Sequence, residues 1–472
     1  MALSDFDDIL IILGLGKWNL LYYFSFGLYA FTIASFILAF SYVTPSVQFA
    51  CDMSQVSEPV SVIEQCNYVI SQNETYNVTT EELQEKCTSW IYNDTYFDYT
   101  LTSEFNLVCG DAYLRPIFQT MITVGGFVGT PINGYLSDKY GRRTLLLIAS
   151  VIAIFSVLIS TLATNLIVIL VLRFFTGLTT FPAIQTGFTI CMEASEPRLR
   201  TGVGMFLGLP WALGTIWWGA LGYMIKDWRW LLRVSTIPGY LCLALLVIIS
   251  ESPRWMIVSG SHAQALKAIK RAGKWNNATL PSNAELMTRM QAIQKSSRRQ
   301  SITEEKKAAI KFSLKSRILN HIKQVFVLFS TPQLRKITIL MYITFVVSSL
   351  VFYGLSFSAI NFKLDPFMYM IVGGLMEIPA YSLVVPIIVK TGMIPFTSGS
   401  YFICGITILI LAFIPSGTAT IFLPETRNKH LFETVSQLEE AALKKKNRKG
   451  TESTKDEAEA LTMNEKPESN TQ

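Results

Sequence analysis

Charge is absent from long blocks of this sequence. No side chain is ionised from Trp18 to Cys51, from Pro116 to Ser137, from Thr201 to Ile225 or from Ile337 to Phe362. Thr144 to Met192 carries only Arg173, Trp230 to Ser250 only Arg233, Pro366 to Val389 only Glu377, and Thr391 to Pro424 nothing. A water-soluble helix needs a polar face, and these runs have none, which excludes a soluble α-helical chain. At roughly 20 residues per crossing the runs predict nine transmembrane helices. Thr144 to Met192 supplies two of them, turning near Ala163-Thr164-Asn165. Histidine is scarce as well. His262, His321 and His430 all lie outside the runs and form no metal-ligand spacing, so no metal site is expected. The G-x-x-x-x-G-K-[ST] signature is missing, which argues against nucleotide-driven chemistry. No cofactor, no catalytic activity and no nucleic-acid partner are expected. A basic n-region is missing too: Asp5, Asp7 and Asp8 stand where a cleavable signal peptide has lysine or arginine. The first helix is therefore expected to double as the signal.

The charges that remain are sorted by loop. Ser46 to Leu114 holds eleven acids against the single base Lys86, whereas Glu251 to Lys336 holds seventeen bases against four acids. The positive-inside rule puts the basic loop in the cytoplasm and the acidic loop outside. The short basic elements Lys139-Tyr140-Gly141-Arg142-Arg143 and Arg198-Leu199-Arg200 then also fall inside, as does the N-terminus. Cys51, Cys66, Cys87 and Cys109 all lie in the acidic loop, an even number in an oxidising compartment, and predict two disulfides with three possible pairings. Sequons at Asn73, Asn77 and Asn93 in the same loop predict glycosylation. Asn277 also lies in a sequon, but in the cytoplasmic loop, and is expected to be unmodified.

Short motifs follow the spans in a fixed order. They are GYLSDKYGRR (Gly134 to Arg143), RFFTG (Arg173 to Gly177), EASEPRLR (Glu193 to Arg200), ESPRW (Glu251 to Trp255) and LPETR (Leu423 to Arg427). In the first, Gly134 and Gly141 serve a tight inner turn. Asp138 sits at a helix C-terminus, where the dipole disfavours a carboxylate and a cationic or helix-N-terminal partner is required. A plain topology-fixing basic turn would read the same way. As a set, the motifs resemble the major facilitator superfamily. Ser103-Glu104-Phe105-Asn106-Leu107-Val108-Cys109 ahead of the second helix, with the large cysteine- and sequon-bearing outer loop, narrows the resemblance to the organic cation, carnitine and organic anion transporters, solute carrier family 22. Sugar porters share ESPRW and PETR but lack this loop. The resemblance covers roughly residues 5 to 435. It implies two six-helix halves, a central cavity and alternating access of small organic ions at the plasma membrane.

Candidate site residues follow. Glu377 lies mid-helix in MEIPAY, where a carboxylate could hold an organic cation, or else hydrogen-bond a neighbouring helix. The anion-transporting branch is expected to carry lysine four residues later, and Tyr381 stands there instead, which favours a cation or zwitterion substrate. Phe31, Gln185, Phe188, Phe352 and Tyr353 are the remaining substrate-contact candidates, Gln185 and Phe188 sharing one helix face. Arg173 reads as a packing or gating residue. Asp138, Arg142, Arg143, Glu193, Arg200, Glu251, Arg254 and Glu425, with Gly134 and Gly141, form the inner gating motifs. Arg233 is expected to snorkel to the outer interface. Gly125-x-x-x-Gly129 and Gly204-x-x-x-Gly208 read as close helix contacts. Lysine- and arginine-rich amphipathic stretches such as KKAAIKFSLKSRILNHIKQVF are expected to lie on anionic membrane lipid.

One stretch breaks the family pattern. In IPSGTATIFLPETRNK (Ile414 to Lys429) only about ten residues separate a proline-marked break from the PETR motif, too few for a crossing. The resemblance places two helices and most of a third there, and KTGMIP replaces the expected Gly-Arg-Arg turn after the eighth helix. The expected architecture is thus an all-α membrane protein with a major facilitator fold and an incomplete C-terminal half of about nine helices plus a stub. Its layout is a cytoplasmic N-terminus (1–17), a first transmembrane helix (18–44), a disulfide-bonded glycosylated outer loop (45–113), helices two to six (114–250), a basic cytoplasmic loop (251–336), helices seven to nine plus stub (337–423) and a polar tail (424–472). Its expected function is transport of organic cations, carnitine-like compounds or zwitterions, with a coupling ion and the oligomeric state left open. The competing expectation is a spliced or mis-assembled product that does not transport, and an organic anion transporter is a further alternative.

Overall fold

The computed structural model describes residues 5–52, 60–63, 66–70, 83–92, 96–308, 329, 332–358 and 365–422. It divides into two units, Met1–Lys390 and Thr391–Gln472. The sequons at Asn73, Asn77 and Asn93, the motif residue Glu425, the tail and most of the stretch KKAAIKFSLKSRILNHIKQVF lie outside the described residues.

In the first unit a short helix α1 (Asp5–Leu13) leads into α2 (Lys17–Ile37) and the turn α3 (Phe40–Val43). The outer loop follows, then α4 (Leu101–Glu104), α5 (Leu114–Tyr140), α6 (Arg142–Ser160) and α7 (Leu166–Ala194). Next come α8 (Arg200–Phe206), α9 (Leu209–Met224), α10 (Trp228–Ser235) and α11 (Ile237–Ile248). The basic loop forms α12 (Pro253–Ser259), α13 (His262–Asn276) and α14 (Asn283–Ala308). Then come α15 (Pro332–Ser358) and α16 (Pro366–Thr391). The second unit contains α17 (Met393–Phe422).

Caps set several boundaries. The Asn165 side chain accepts from Ile167 N–H at 2.8 Å to open α7, and Asp227 accepts from Arg229 and Trp230 N–H to open α10. Between α5 and α6 stands a single residue, Gly141, with φ +104° and ψ 149°. A side chain is strained at that φ, and a Cβ there would run into the Glu251 carboxylate. Gly134, by contrast, lies inside α5 and takes no part in the turn, and a Cβ there would meet nothing within 4 Å.

The core of the first unit sits around α2, which packs against α7, α9 and α11 and buries Trp18, Tyr22, Phe26, Tyr29, Ile33 and Phe36. The backbones of α5 and α7 approach closely, so that a Cβ on Gly125 would meet Phe174 and Leu178 backbone, and one on Gly177 the Ile122 carbonyl. The second small-residue pair behaves differently. Gly204 meets only the Phe188 and Met192 side chains at ordinary distance, while Gly208 is crowded by the Tyr381 ring. It is a seat for an aromatic ring rather than a backbone crossing.

The outer loop holds short strands that the helix-period reading of the spans does not reach. β1 (Phe49–Cys51) pairs antiparallel with β5 (Trp90–Tyr92). β2 (Val60–Ile63), β3 (Asn67–Ile70) and β4 (Leu83–Lys86) form a second antiparallel sheet. Cys51 is bonded to Cys87 and Cys66 to Cys109, one of the three pairings the sequence leaves open.

Seven stretches among the described residues are long and apolar enough to cross a membrane: Lys17–Val43, Arg142–Ser160, Leu166–Ala194, Arg200–Met224, Trp228–Ile248, Pro332–Gly354 and Pro366–Ile388. The two other expected spans differ for identifiable reasons. α5 has 27 residues, but Gln119, Asn133, Asp138 and Lys139 lower its hydropathy. In α17 the described apolar stretch is Ile394–Ile408, yet the helix itself runs on for 30 residues. It passes through Pro415 and Gly417 without the break the sequence suggests there.

Candidate substrate cavity and inner charge network

The inner motifs form one connected network around the joint between α5 and α6. Arg142 pairs with Asp138 at 3.0 Å, one helical turn back, and approaches Glu193 at the end of α7 at 3.5 Å. Ser252 donates its hydroxyl to Glu193. The Glu251 carboxylate accepts from the Arg143 backbone N–H at 2.9 and 3.1 Å, from Thr144 N–H at 3.3 Å and from Ser252 N–H at 3.0 Å. It thereby caps α6 at the positive end of the helix dipole. The Arg143 guanidinium runs the other way and donates to the carbonyls of Leu246 and Val247, each at 2.8 Å, at the C-terminus of α11. Trp255 donates its indole N–H to the Asp138 carbonyl at 2.8 Å.

Two motif residues stand apart from this network. Arg200 pairs with Asp7 of α1 at 2.7 Å and donates to the Met192 carbonyl, which fastens the N-terminal helix under α7. Arg254 is exposed on α12 and forms no ion pair among the described residues. Asp138 itself has 74% of its side chain exposed, with Arg142 as its one ion-pair partner among the described residues.

In the membrane interior, Arg173 on α7 is 5% exposed and stacks on the Phe118 ring of α5 at 4.4 Å. It donates to Gln119 Oε1 at 3.4 Å, and its Nε has no hydrogen-bond partner among the described residues. Tyr353 on α15 hydrogen-bonds Gln119 and borders a wide-open pocket of about 580 Å³ along α15, whose described lining is Phe345, Val346, Ser349, Leu350, Tyr353 and Gly354. Phe352 is half-exposed, its ring edge-on to Tyr353 at 5.3 Å, and does not line that cavity.

Glu377 lies on the α9-facing side of α16. Gly374, one turn earlier, abuts Ile216 and the Ala212 carbonyl, and Tyr381, one turn later, sits on Gly208. The spacing i, i+3, i+7 puts all three on one face. Glu377 is half-buried, and its Oε2 has no hydrogen-bond partner among the described residues. Phe31 on α2 lies 6.0 Å from the Trp217 ring of α9. Gln185 and Phe188 are both exposed on α7, Phe188 against Gly204. Glu377 and Phe31 thus gather around α9, Tyr353 lies where α5, α7 and α15 meet, and Phe188 stands apart from both against α8.

Sequence reasoning passes over a third cluster, at the ends of α4, α6 and α10. Glu104, from the stretch that narrows the resemblance, pairs with Arg229 and accepts from the Trp228 indole N–H at 2.9 Å. Arg229 stacks on Trp228 at 4.7 Å and donates to the carbonyls of Thr161 and Ala163. Arg233 donates to Thr161 Oγ1 at 3.0 Å and stacks on Trp230. Arg229, the charge directly before the apolar run Trp230 to Ser250, is the signal that could have found this cluster. Asn19 and Asn276, which join the start of α2 to the end of α13, carry no such signal.

Comparison with known proteins bears on these arrangements. The model of the family described as "Sugar (and other) transporter" matches residues 30–436. An "Organic cation transporter-like protein" of Drosophila melanogaster is 25% identical over 440 residues, covering 89% of this chain and 75% of that protein. "Organic cation transporter 1" of Caenorhabditis elegans is 30% identical over 334 residues, 70% of this chain and 53% of that protein. "Solute carrier family 22 member 6" of Pseudopleuronectes americanus is 29% identical over 339 residues, 72% and 57%. The chain therefore spans little more than half the length of the last two. Among solved structures, the xylose transporter XylE from E. coli in a partially occluded inward-open conformation has a TM-score of 0.46 at 16% identity, covering 83% of this chain and 75% of that one. The chain belongs to the sugar (and other) transporter family, as a multi-pass membrane protein of the major facilitator superfamily with its relatives in solute carrier family 22.

Proposed function

We propose that this chain binds small organic cations, or zwitterions by their cationic end, at Glu377, and that the complete form of such a protein carries them by alternating access. The observation that carries this is Glu377 itself. It is a mid-helix carboxylate with one oxygen lacking a partner, one turn from the Tyr381 ring. A buried carboxylate without a partner is costly, and a bound cation offsets that cost. The aromatic ring adds cation–π attraction. The names of the relatives support the substrate class. Binding of a radiolabelled quaternary ammonium compound to the purified chain tests it. Glu377→Gln should abolish binding, and equal binding by that variant would remove Glu377 from the site.

A second reading concerns the chain as it stands: it binds without transporting. Gly134 faces open space, Asp138 is largely exposed, and none of the apolar window of α15 is buried, as if a facing wall were missing. The family match continues across Ile414–Leu423 to residue 436, so both sides of that seam fit one family. Surface-labelled uptake should show no saturable transport by the 472-residue chain. Robust uptake would defeat this second reading and leave the binding site standing.

A further inference from the structure

We propose that the inner end of α11 holds a binding site for an anionic phospholipid headgroup. A cavity of about 440 Å³ opens there between the α5–α6 joint, α12 and α13. Arg143, Lys267 and Arg271 line it, with Tyr140 and Trp255 as aromatic walls and Glu251 as the lone acid among the described lining residues. Three cations face one carboxylate, and the chain occupies that carboxylate with the Arg143 and Thr144 backbone N–H groups at the start of α6 and the Ser252 N–H before α12. The positive charge is therefore not matched from within.

The cations differ in how they are held. Arg143 is fixed by the Leu246 and Val247 carbonyls, and Arg271 by a long bond to the Ile248 carbonyl and by stacking on Trp275 at 4.7 Å. Each keeps further N–H donors for a ligand. Lys267 is exposed and has no partner among the described residues. A phosphate accepts from all three kinds of donor at once.

The surroundings choose a lipid over a free phosphate. The helices that meet at the cavity, α6 and α11, carry exposed apolar side chains beside it: Ile148, Ile152, Val247 and Ile248. In a membrane-spanning pair these face acyl chains. A headgroup in the cavity and tails along that apolar surface satisfy both halves of one amphiphile. The inner-leaflet position rests on the orientation read from loop charge, whereas the chemistry of the cavity does not.

Native mass spectrometry of the detergent-purified full chain tests the proposal. Phosphatidylinositol 4-phosphate and phosphatidylserine should be retained in preference to phosphatidylcholine. Lys267→Glu should weaken that retention about tenfold, Lys267→Arg should restore it, and Lys295→Glu, exposed on α14 and outside the cavity lining, should leave it unchanged. Equal losses for Lys267→Glu and Lys295→Glu would mean diffuse attraction to a basic loop and would overturn the site. Absence of any preference for anionic lipid would overturn it as well. Inorganic phosphate or inositol phosphate binding as tightly as the lipid would reassign the cavity to a soluble anion. Because detergent carries no sidedness, failure of the orientation would appear separately, as an external position for a tag inserted between α12 and α13.

Discussion

At the scale of single residues, the protein fastens its helix ends with charges used twice. Glu251 closes α6 while Arg143, at the second position of that helix, closes α11. Gly141 is what lets the two meet, since the Glu251 carboxylate occupies the space a side chain would need. Gly141→Ala should therefore lower stability by about 1–3 kcal/mol, read as a fall in the melting temperature of the detergent-solubilised protein. An unchanged melting temperature would mean that the joint relaxes freely. The Glu104–Arg229 pair offers a sharper test. Glu104 and Arg229 are both largely buried, so removing one strands the other at a cost of roughly 3–5 kcal/mol. The double change Glu104→Leu with Arg229→Met should cost less than either single change, and additive losses would show that the two residues act apart. Glu251 and Arg142 are legible in the sequence as motif members. Gln119 is not, because an uncharged side chain in an apolar run announces nothing until Arg173 and Tyr353 are seen against it.

At the scale of elements, the spans were legible because the bilayer demands uninterrupted apolar length, and a charge marks each limit. What that demand does not specify stayed hidden. α8 gives way to α9 at Leu207–Gly208 inside a run without charge, and α10 to α11 at Thr236 inside a run whose one charge is Arg233. The strands β1 to β5 are short, and the constraint on them is the pair of disulfides rather than a hydrophobic period. Those disulfides interleave along the chain, Cys51 to Cys87 overlapping Cys66 to Cys109. A single protease cut between Cys66 and Cys87 should therefore leave the two fragments joined on a non-reducing gel and separate them only after reduction. Separation without reductant would refute the pairing. The partner of Arg200 was equally unreadable: Asp7 lies 193 positions away, on a helix α1 that packs against α13 and α14.

At the scale of the whole chain, one element decides how the molecule is threaded. α17 runs through Pro415 and Gly417 without a turn, so a crossing by this helix leaves its two ends on opposite faces. With the Lys390 end inside, a tag at Gln472 should be reached by antibody on intact cells. Detection only after permeabilisation would mean that the chain turns back. The length of α17 has a further consequence. Thirty residues of helix measure about 45 Å, against a hydrocarbon core of about 30 Å. Such a helix is mismatched to any bilayer. It must lean, or carry its ends into the headgroups, and it must do so more in a thin membrane than in a thick one. Sterol-rich plasma membrane is the thicker host, so α17 would lean less there than in the thinner membranes of the secretory route.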